Sequence, residues 1–159
     1  MIKTAEISPC GRYRYLLTRS WDESSGQCVF IMLNPSTADG WQDDPTIRRC
    51  IGFARAWGYG TLQVVNLFAW RATDPREIGN CYEAGGDPVG PESDKYISLT
   101  VARAEFTVCA WGAQGIERGQ EVRRILSAAK LHHLGLTQRG MPKHPLYLRK
   151  DTKPIEWKR

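Results

Sequence analysis

The sequence predicts a single α/β domain: a three-layer αβα sandwich around a central, mainly parallel, four-stranded sheet, with an antiparallel strand or hairpin at its N-terminus. Three observations carry that expectation. Continuously apolar segments, suited to strands covered on both faces, alternate with segments of helical periodicity. The connections between them are long enough for right-handed crossovers. The 159 residues, 42% hydrophobic and 25% charged, fit one soluble core with no room for a second.

Each element has its own signal. Residues 12–20 are rich in aromatic and β-branched types and read as the antiparallel strand, closed by a turn at 22–26. Cys28 to Leu33 is unbroken apolar sequence, a central strand that Asn34-Pro35-Ser36 ends. Asp44 reads as a helix N-cap with Pro45 at the first helical position; the helix runs through Ile47, Ile51, Phe53 and Ala54 to the glycine stop at Gly58. A second apolar strand covers 61–67, and a long connection containing Gly79, Gly85-Gly86, Pro88, Gly90 and Pro91 covers 69–91. Helix 92–104, strand 106–111, helix 116–130 and a short strand 131–136 complete the order. The domain takes in residues 1–159, with 1–10 and 150–159 as peripheral tails.

Composition narrows the function classes. The five cysteines (Cys10, Cys28, Cys50, Cys81 and Cys109) are odd in number and widely spaced, so neither a disulfide framework nor a metal site is expected. Cys28 and Cys109, in apolar stretches, read as small buried hydrophobes. No apolar run approaches the ~20 residues that cross a bilayer, and the first residues lack a long apolar leader, so a cytoplasmic monomer is expected. The net charge of +5 suits a polyanionic partner. Positive charge gathers at Arg139, Lys143, Arg149, Lys150, Lys153, Lys158 and Arg159, which reads equally as a solvated end.

Ligands of open α/β sheets bind beyond the carboxyl ends of the strands, which directs attention to Asn34-Pro35-Ser36-Thr37, Asn66-Leu67-Phe68 and Trp111-Gly112. Asn34 is either a turn cap or a side chain presenting a donor and an acceptor. Asn66 closes an apolar strand and must satisfy either neighbouring backbone or a ligand. His144 lies in a basic, proline-flanked loop, while the adjacent His132 and His133 point to opposite faces and read as structural. Trp41, Trp70 and Trp111 suit base stacking or lids over the core. Asp39, Asp43 and Asp44 read as caps rather than metal ligands, and no phosphate-loop, dinucleotide or HExxH pattern is present.

The order of these segments resembles the uracil-DNA glycosylase superfamily. Asn34-Pro35 after the first core strand matches the asparagine-proline turn of its mismatch-specific branch, Val65-Asn66 echoes the segment after the second strand, and Asp74-Pro75-Arg76-Glu77 its downstream stretch. His144-Pro145-Leu146-Tyr147-Leu148-Arg149 matches its final histidine-proline motif. Over roughly residues 10–150 the chain also resembles an uncharacterised bacterial and viral family typified by Leu-Asn-Pro-Ser-Thr-Ala-Asp, here residues 33–39. The glycosylase likeness implies a four-stranded parallel sheet, no cofactor and no metal, and hydrolysis of the N-glycosidic bond of uracil or a modified base in DNA. The alternative is a non-catalytic nucleic-acid or nucleotide-binding module on the same fold.

Under that resemblance Asn34 and His144 are the catalytic pair. Asn34 would orient the attacking water and His144 would donate to the base oxygen where charge develops. Asn66 would read the base edge with donor and acceptor together, and Trp41 or Phe53 would stack on the flipped base. Lys143 and Arg149 would hold phosphates. Pro35, Ser36, Phe68 and Trp111 complete the expected binding set. An asparagine at the water-positioning place is a weaker catalyst than a carboxylate, since it cannot act as a base.

Overall fold

Phe30 and Ile31 show why the sheet forms where it does: both are fully buried, on opposite faces of the central strand β3, Gln27–Met32. In a computed structural model, which describes residues 1–158, β3 lies parallel to β4 (Thr61–Asn66) on one side and β5 (Phe106–Cys109) on the other. The last of the basic residues, Arg159, lies outside the described residues. A short strand β6, His132–His133, continues the parallel set beyond β5.

The sheet is wider than the sequence predicts. It has seven strands in the order β1-β2-β4-β3-β5-β6-β7, not four. β1 (Ile2–Ile7) and β2 (Arg14–Ser20) form an antiparallel hairpin whose second strand pairs antiparallel with β4. β7 (Ile155–Glu156) pairs antiparallel with β6 at the far edge. The sheet is therefore mixed, with a parallel centre and antiparallel margins. The end segments expected as tails supply both edge strands. Trp157, in the basic C-terminal stretch, packs with its ring centroid 5.6 Å from that of Trp111 and under the Arg123 guanidinium at 3.7 Å. Burying an aromatic of that size is what holds so short a strand in place.

The helices form two unequal layers. α1 (Pro45–Ala56) covers one face with Ile47, Cys50, Ile51, Phe53 and Ala54, packed with Cys28, Phe30, Leu62 and Val64. Asp44 caps it as expected: its side chain accepts from the Ile47 amide at 2.8 Å, with Pro45 following. The other face carries α2 (Arg76–Glu83), α3 (Ser93–Arg103) and α4 (Ile116–Ile125) over Val29, Ile31, Val65 and Cys109. α2 lies inside the stretch that the sequence marks only as a long connection. Asp74 folds back onto the Arg76 amide at 2.9 Å to start it, and only Ile78 and Cys81 are buried, too few to print a helical period on the sequence.

Two elements are shorter than expected. α4 stops at Ile125 because the chain tightens into i→i+3 turns, Ser127 to Arg124 and Ala129 to Leu126, before returning Leu131 to the sheet. β6 ends at His133 because Gly135, at φ 119°, turns the chain off the ladder. No helix among the described residues is long and apolar enough to cross a membrane. Cys28, Cys50, Cys81 and Cys109 are buried and Cys10 is exposed, and no disulfide joins any two of them.

Candidate functional site

Side chains alternate along strands, so Met32 and Asn34, and likewise Val64 and Asn66, are directed to the α1 face. The β3–β4 pairing is prolonged past both strands by Leu67 N–H to Met32 O and Phe68 N–H to Leu33 O, each 2.9 Å. A cavity of about 250 Å³ opens there, at the carboxyl ends of β3 and β4. Asn34, Ser36, Asn66 and His144 all line it, joined by Arg14, Asp44, Thr46 and Thr73.

Both Asn34 N–H groups are spent on backbone, donating to Ala72 O at 2.8 Å and Pro35 O at 3.0 Å. The amide is thereby fixed, with Oδ1 as its uncommitted end. The turn-cap reading holds for its nitrogen, while its oxygen takes no hydrogen bond among the described residues.

His144 reaches the cavity because its loop is pinned twice. Gly112, in the left-handed region at φ 81° just after β5, donates to Pro142 O at 2.8 Å, and Arg49 of α1 donates to Pro145 O at 3.3 Å. The Leu146 amide donates to His144 Nδ1 at 3.2 Å, which puts the proton of the neutral ring on Nε2. His144 as a whole is exposed at the rim, but the loss of water around its ring lowers its pKa below the ordinary imidazole value, against the pull of Asp44. At neutral pH it is a neutral Nε2–H donor.

Arg14 was not among the residues expected at the site. It is 2% exposed, donating from Nη1 to Ala38 O at 2.9 Å and from Nη2 to Asn66 Oδ1 at 3.3 Å. Burial pulls its pKa down to about 10, partly offset by Asp44, which leaves it charged at neutral pH. Its Nε and the Asn66 Nδ2 are buried with no hydrogen-bond partner among the described residues. Asn66 therefore does not present donor and acceptor together: its oxygen faces Arg14 and its nitrogen is the free group.

Strand parity alone hides Arg14. Leu17 packs on the α1 face, Leu16 on the other, and simple alternation would send Arg14 with Leu16. The register shifts between Glu6, opposite Leu16, and Ile7, opposite Arg14, so Tyr15 is an extra residue in β2. Tyr15 stacks on Tyr96 of α3 with ring centroids 5.0 Å apart, and Arg14 is turned to the α1 side. Bulges re-aim side chains in this way. Asp44 was legible only as a cap; its second oxygen, Oδ2, takes no hydrogen bond from the described residues.

The remaining expected residues do not meet the cavity. Trp41 is 85% exposed on the loop before α1. Phe53 is in the core, stacked on Trp57 at 5.4 Å, so neither supplies a stacking platform. Trp111 is 1% exposed and donates its indole N–H to Met141 Sδ at 3.4 Å on the opposite face, where parity from Val108 and Ala110 sends it. Phe68 lies on that face too, where the chain leaves the ladder after Leu67, and lines a second cavity of about 880 Å³ with Tyr82, Arg118 and Arg139. Pro35 is buried beneath the turn, its carbonyl accepting from the Asn34 side chain and Ala72 N–H. Lys143 is exposed outside the cavity, and Arg149 is tied to Asp151 by two 3.0 Å hydrogen bonds. No cluster of three or more metal-ligating side chains occurs among the described residues.

No curated protein and no solved structure matches the chain. A family model described as Protein of unknown function (DUF1643) matches residues 14–146. That span holds β2 through the His144 loop, the whole of the cavity lining included, and the chain belongs to this family.

Proposed function

We propose that the protein is a base-acting N-glycosylase, hydrolysing the bond between a nucleobase and its sugar in DNA or a nucleotide. The observation that supports this best is that Asn34, Asn66 and His144, drawn from three separate segments, line one cavity. Its 250 Å³ is just below the range of about 300–1,000 Å³ common for small-molecule sites, a size for one base.

The chemistry divides among the lining groups. Asn34 Oδ1 accepts a hydrogen from water and holds its oxygen toward the sugar C1′. That oxygen bonds to C1′ as the C1′–N bond breaks, and the bonding pair leaves with the base. His144 Nε2–H donates to the base oxygen on which the charge collects, a fixed donor where charge develops. The proton released by the water goes to Asp44, the single carboxylate among the lining residues, whose Oδ2 is uncommitted. A separate groove is lined by Arg48, Arg49 and Lys150, a basic surface suited to a phosphate backbone.

The test is incubation with duplex and single-stranded oligonucleotides carrying uracil, mismatched or modified pyrimidines, followed by alkaline cleavage at abasic sites. Product that disappears in Asn34→Ala is expected. Oligonucleotide binding without product from any of these substrates overturns the reading for them.

A further inference from the structure

Arg14 is the one charged group in the cavity that the proposed reaction leaves without work. Removing a guanidinium from water costs several kcal/mol unless partners replace the water. Two other arginines are buried among the described residues, and both are matched. Arg19, 0% exposed, meets Asp43 at 2.6 Å and four backbone carbonyls, those of Thr4, Thr18, Asp39 and Gln42. Arg118 meets Asp94 at 2.5 Å, Glu121 at 3.3 Å and Leu67 O at 2.9 Å. Arg14 has one carbonyl and one amide oxygen, and hydrogen-bonds to no carboxylate.

The mismatch is directional. Arg14 Nε and Asn66 Nδ2 are both donors, both buried, both without a partner among the described residues, and belong to side chains already bonded to each other. Two lining side chains that together hold two unsatisfied N–H groups and a positive charge that Asp44 offsets only in part are complementary to two oxygens sharing a negative charge. Neutral carbonyl groups satisfy the donors but leave the charge; a bare phosphate carries more charge and oxygens than these two side chains can meet. Resting on the reading of the cavity as a base site, we propose that it holds a carboxylate subsite, and that the ligand is a planar heteroaromatic acid seated acid-first on Arg14 and Asn66.

Three probes separate the acid from the ring: orotate carries both, uracil only the base, benzoate only an aromatic acid. Titration calorimetry of the full chain at low salt is expected to show orotate binding at least ten-fold tighter than uracil and tighter than benzoate, a gap of about 1.4 kcal/mol or more. Arg14→Met is expected to erase the preference for orotate over uracil. Arg14→Lys, which keeps charge but not the fork, and Asn66→Ala are expected to reduce it, and they carry the test if Arg14→Met fails to fold. Uracil binding as tightly as orotate overturns the carboxylate subsite and leaves the base site standing. Benzoate equal to orotate, with uracil silent, supports the subsite and removes the base reading. Silence from all three overturns both.

Discussion

Arg14 and Arg19 stand at the two ends of β2, both buried and both directed to the α1 face, yet they do opposite things. Arg19 is saturated: Asp43 and a ring of carbonyls from the 39–43 loop and the β1–β2 hairpin consume it. It ties the loop carrying Asp44 to the sheet, which is a structural task. Arg14, at the bulge, is left with a donor to spare and a charge that Asp44 offsets only in part. The pair teaches that burial of a charge is not itself a functional sign. What distinguishes a site is the unpaid remainder of its hydrogen bonds, because protein interiors otherwise satisfy such groups.

The sharpest way to break that contrast is to strip each arginine of its partnership. Asp43→Ala leaves Arg19 charged in a dry place, with carbonyls only. A loss of about 3–5 kcal/mol in urea unfolding is expected, the range for orphaning one member of a buried pair. Arg14→Met replaces a charge that hydrogen-bonds to no carboxylate by an apolar chain of similar length, and is expected to leave stability within about 1 kcal/mol or raise it. Equal losses from the two variants would show that Arg14 is as structural as Arg19.

A second, somewhat smaller effect separates the fixed end of Asn34 from its free end. Asn34→Ala is expected to lower base-excision turnover about 10²–10³-fold, the scale for removing one preorganised polar group at a reacting centre. The lost bonds to Ala72 O and Pro35 O should cost about 1 kcal/mol each in unfolding. Turnover measured at saturating substrate, beside a denaturant curve, distinguishes the two: a rate loss no larger than the fraction unfolded would assign Asn34 to the turn alone.

The same contrast explains what was readable from residues alone. Asn34, Asn66 and Asp44 sit where strand alternation and capping rules place them, so period and position suffice to mark two amides on one face and a helix start beside them. His144 could be named but not placed, since the Gly112 and Arg49 contacts that hang its loop are long-range. Arg14 was hidden because one inserted residue, Tyr15, breaks the alternation between the residues on its two sides, and nothing in the run Tyr13-Arg14-Tyr15-Leu16-Leu17 announces a bulge. The edge strands β1 and β7 escaped for a different reason: short or solvent-facing strands at a sheet margin bury too little to leave an apolar pattern. Trp41 and Trp111 misled because an aromatic after a strand is consistent with a platform, a lid or core, and only packing decides.

The acid limb of the pH profile tests the histidines. Burial lowers the pKa of both His144 and His133, and each accepts a backbone N–H at Nδ1, from Leu146 and Gly135 respectively. In the unfolded chain these imidazoles titrate near about 6.5. Below that pH the unfolded state takes up protons that the folded state refuses, so stability falls as pH drops from there through the lowered folded values, and is fully present above. Only His144 lines the cavity. His133→Gln is expected to flatten the stability profile while leaving the pH dependence of turnover unchanged; a parallel change in turnover would mean the acid limb reports unfolding rather than His144.

The smallest effect concerns a third arginine, where exposure replaces burial but the partner logic is the same. Arg149 is held by Asp151 through two hydrogen bonds, with both side chains largely in solvent. Its charge is neutralised locally before any phosphate arrives, whereas Lys143 is exposed in the neighbouring loop. Each phosphate contact contributes a slope of about 0.9 in log affinity against log salt. Lys143→Ala is expected to reduce the slope for oligonucleotide binding by about one contact, and Arg149→Ala by less, with no measurable shift in the unfolding midpoint. Asp151→Ala should do the reverse, freeing Arg149 and tightening low-salt binding. If Arg149→Ala instead removes a whole contact, the Arg149–Asp151 pair opens on the nucleic acid, and an arginine's partners in the free protein would then be a sound guide to function only where burial holds them closed.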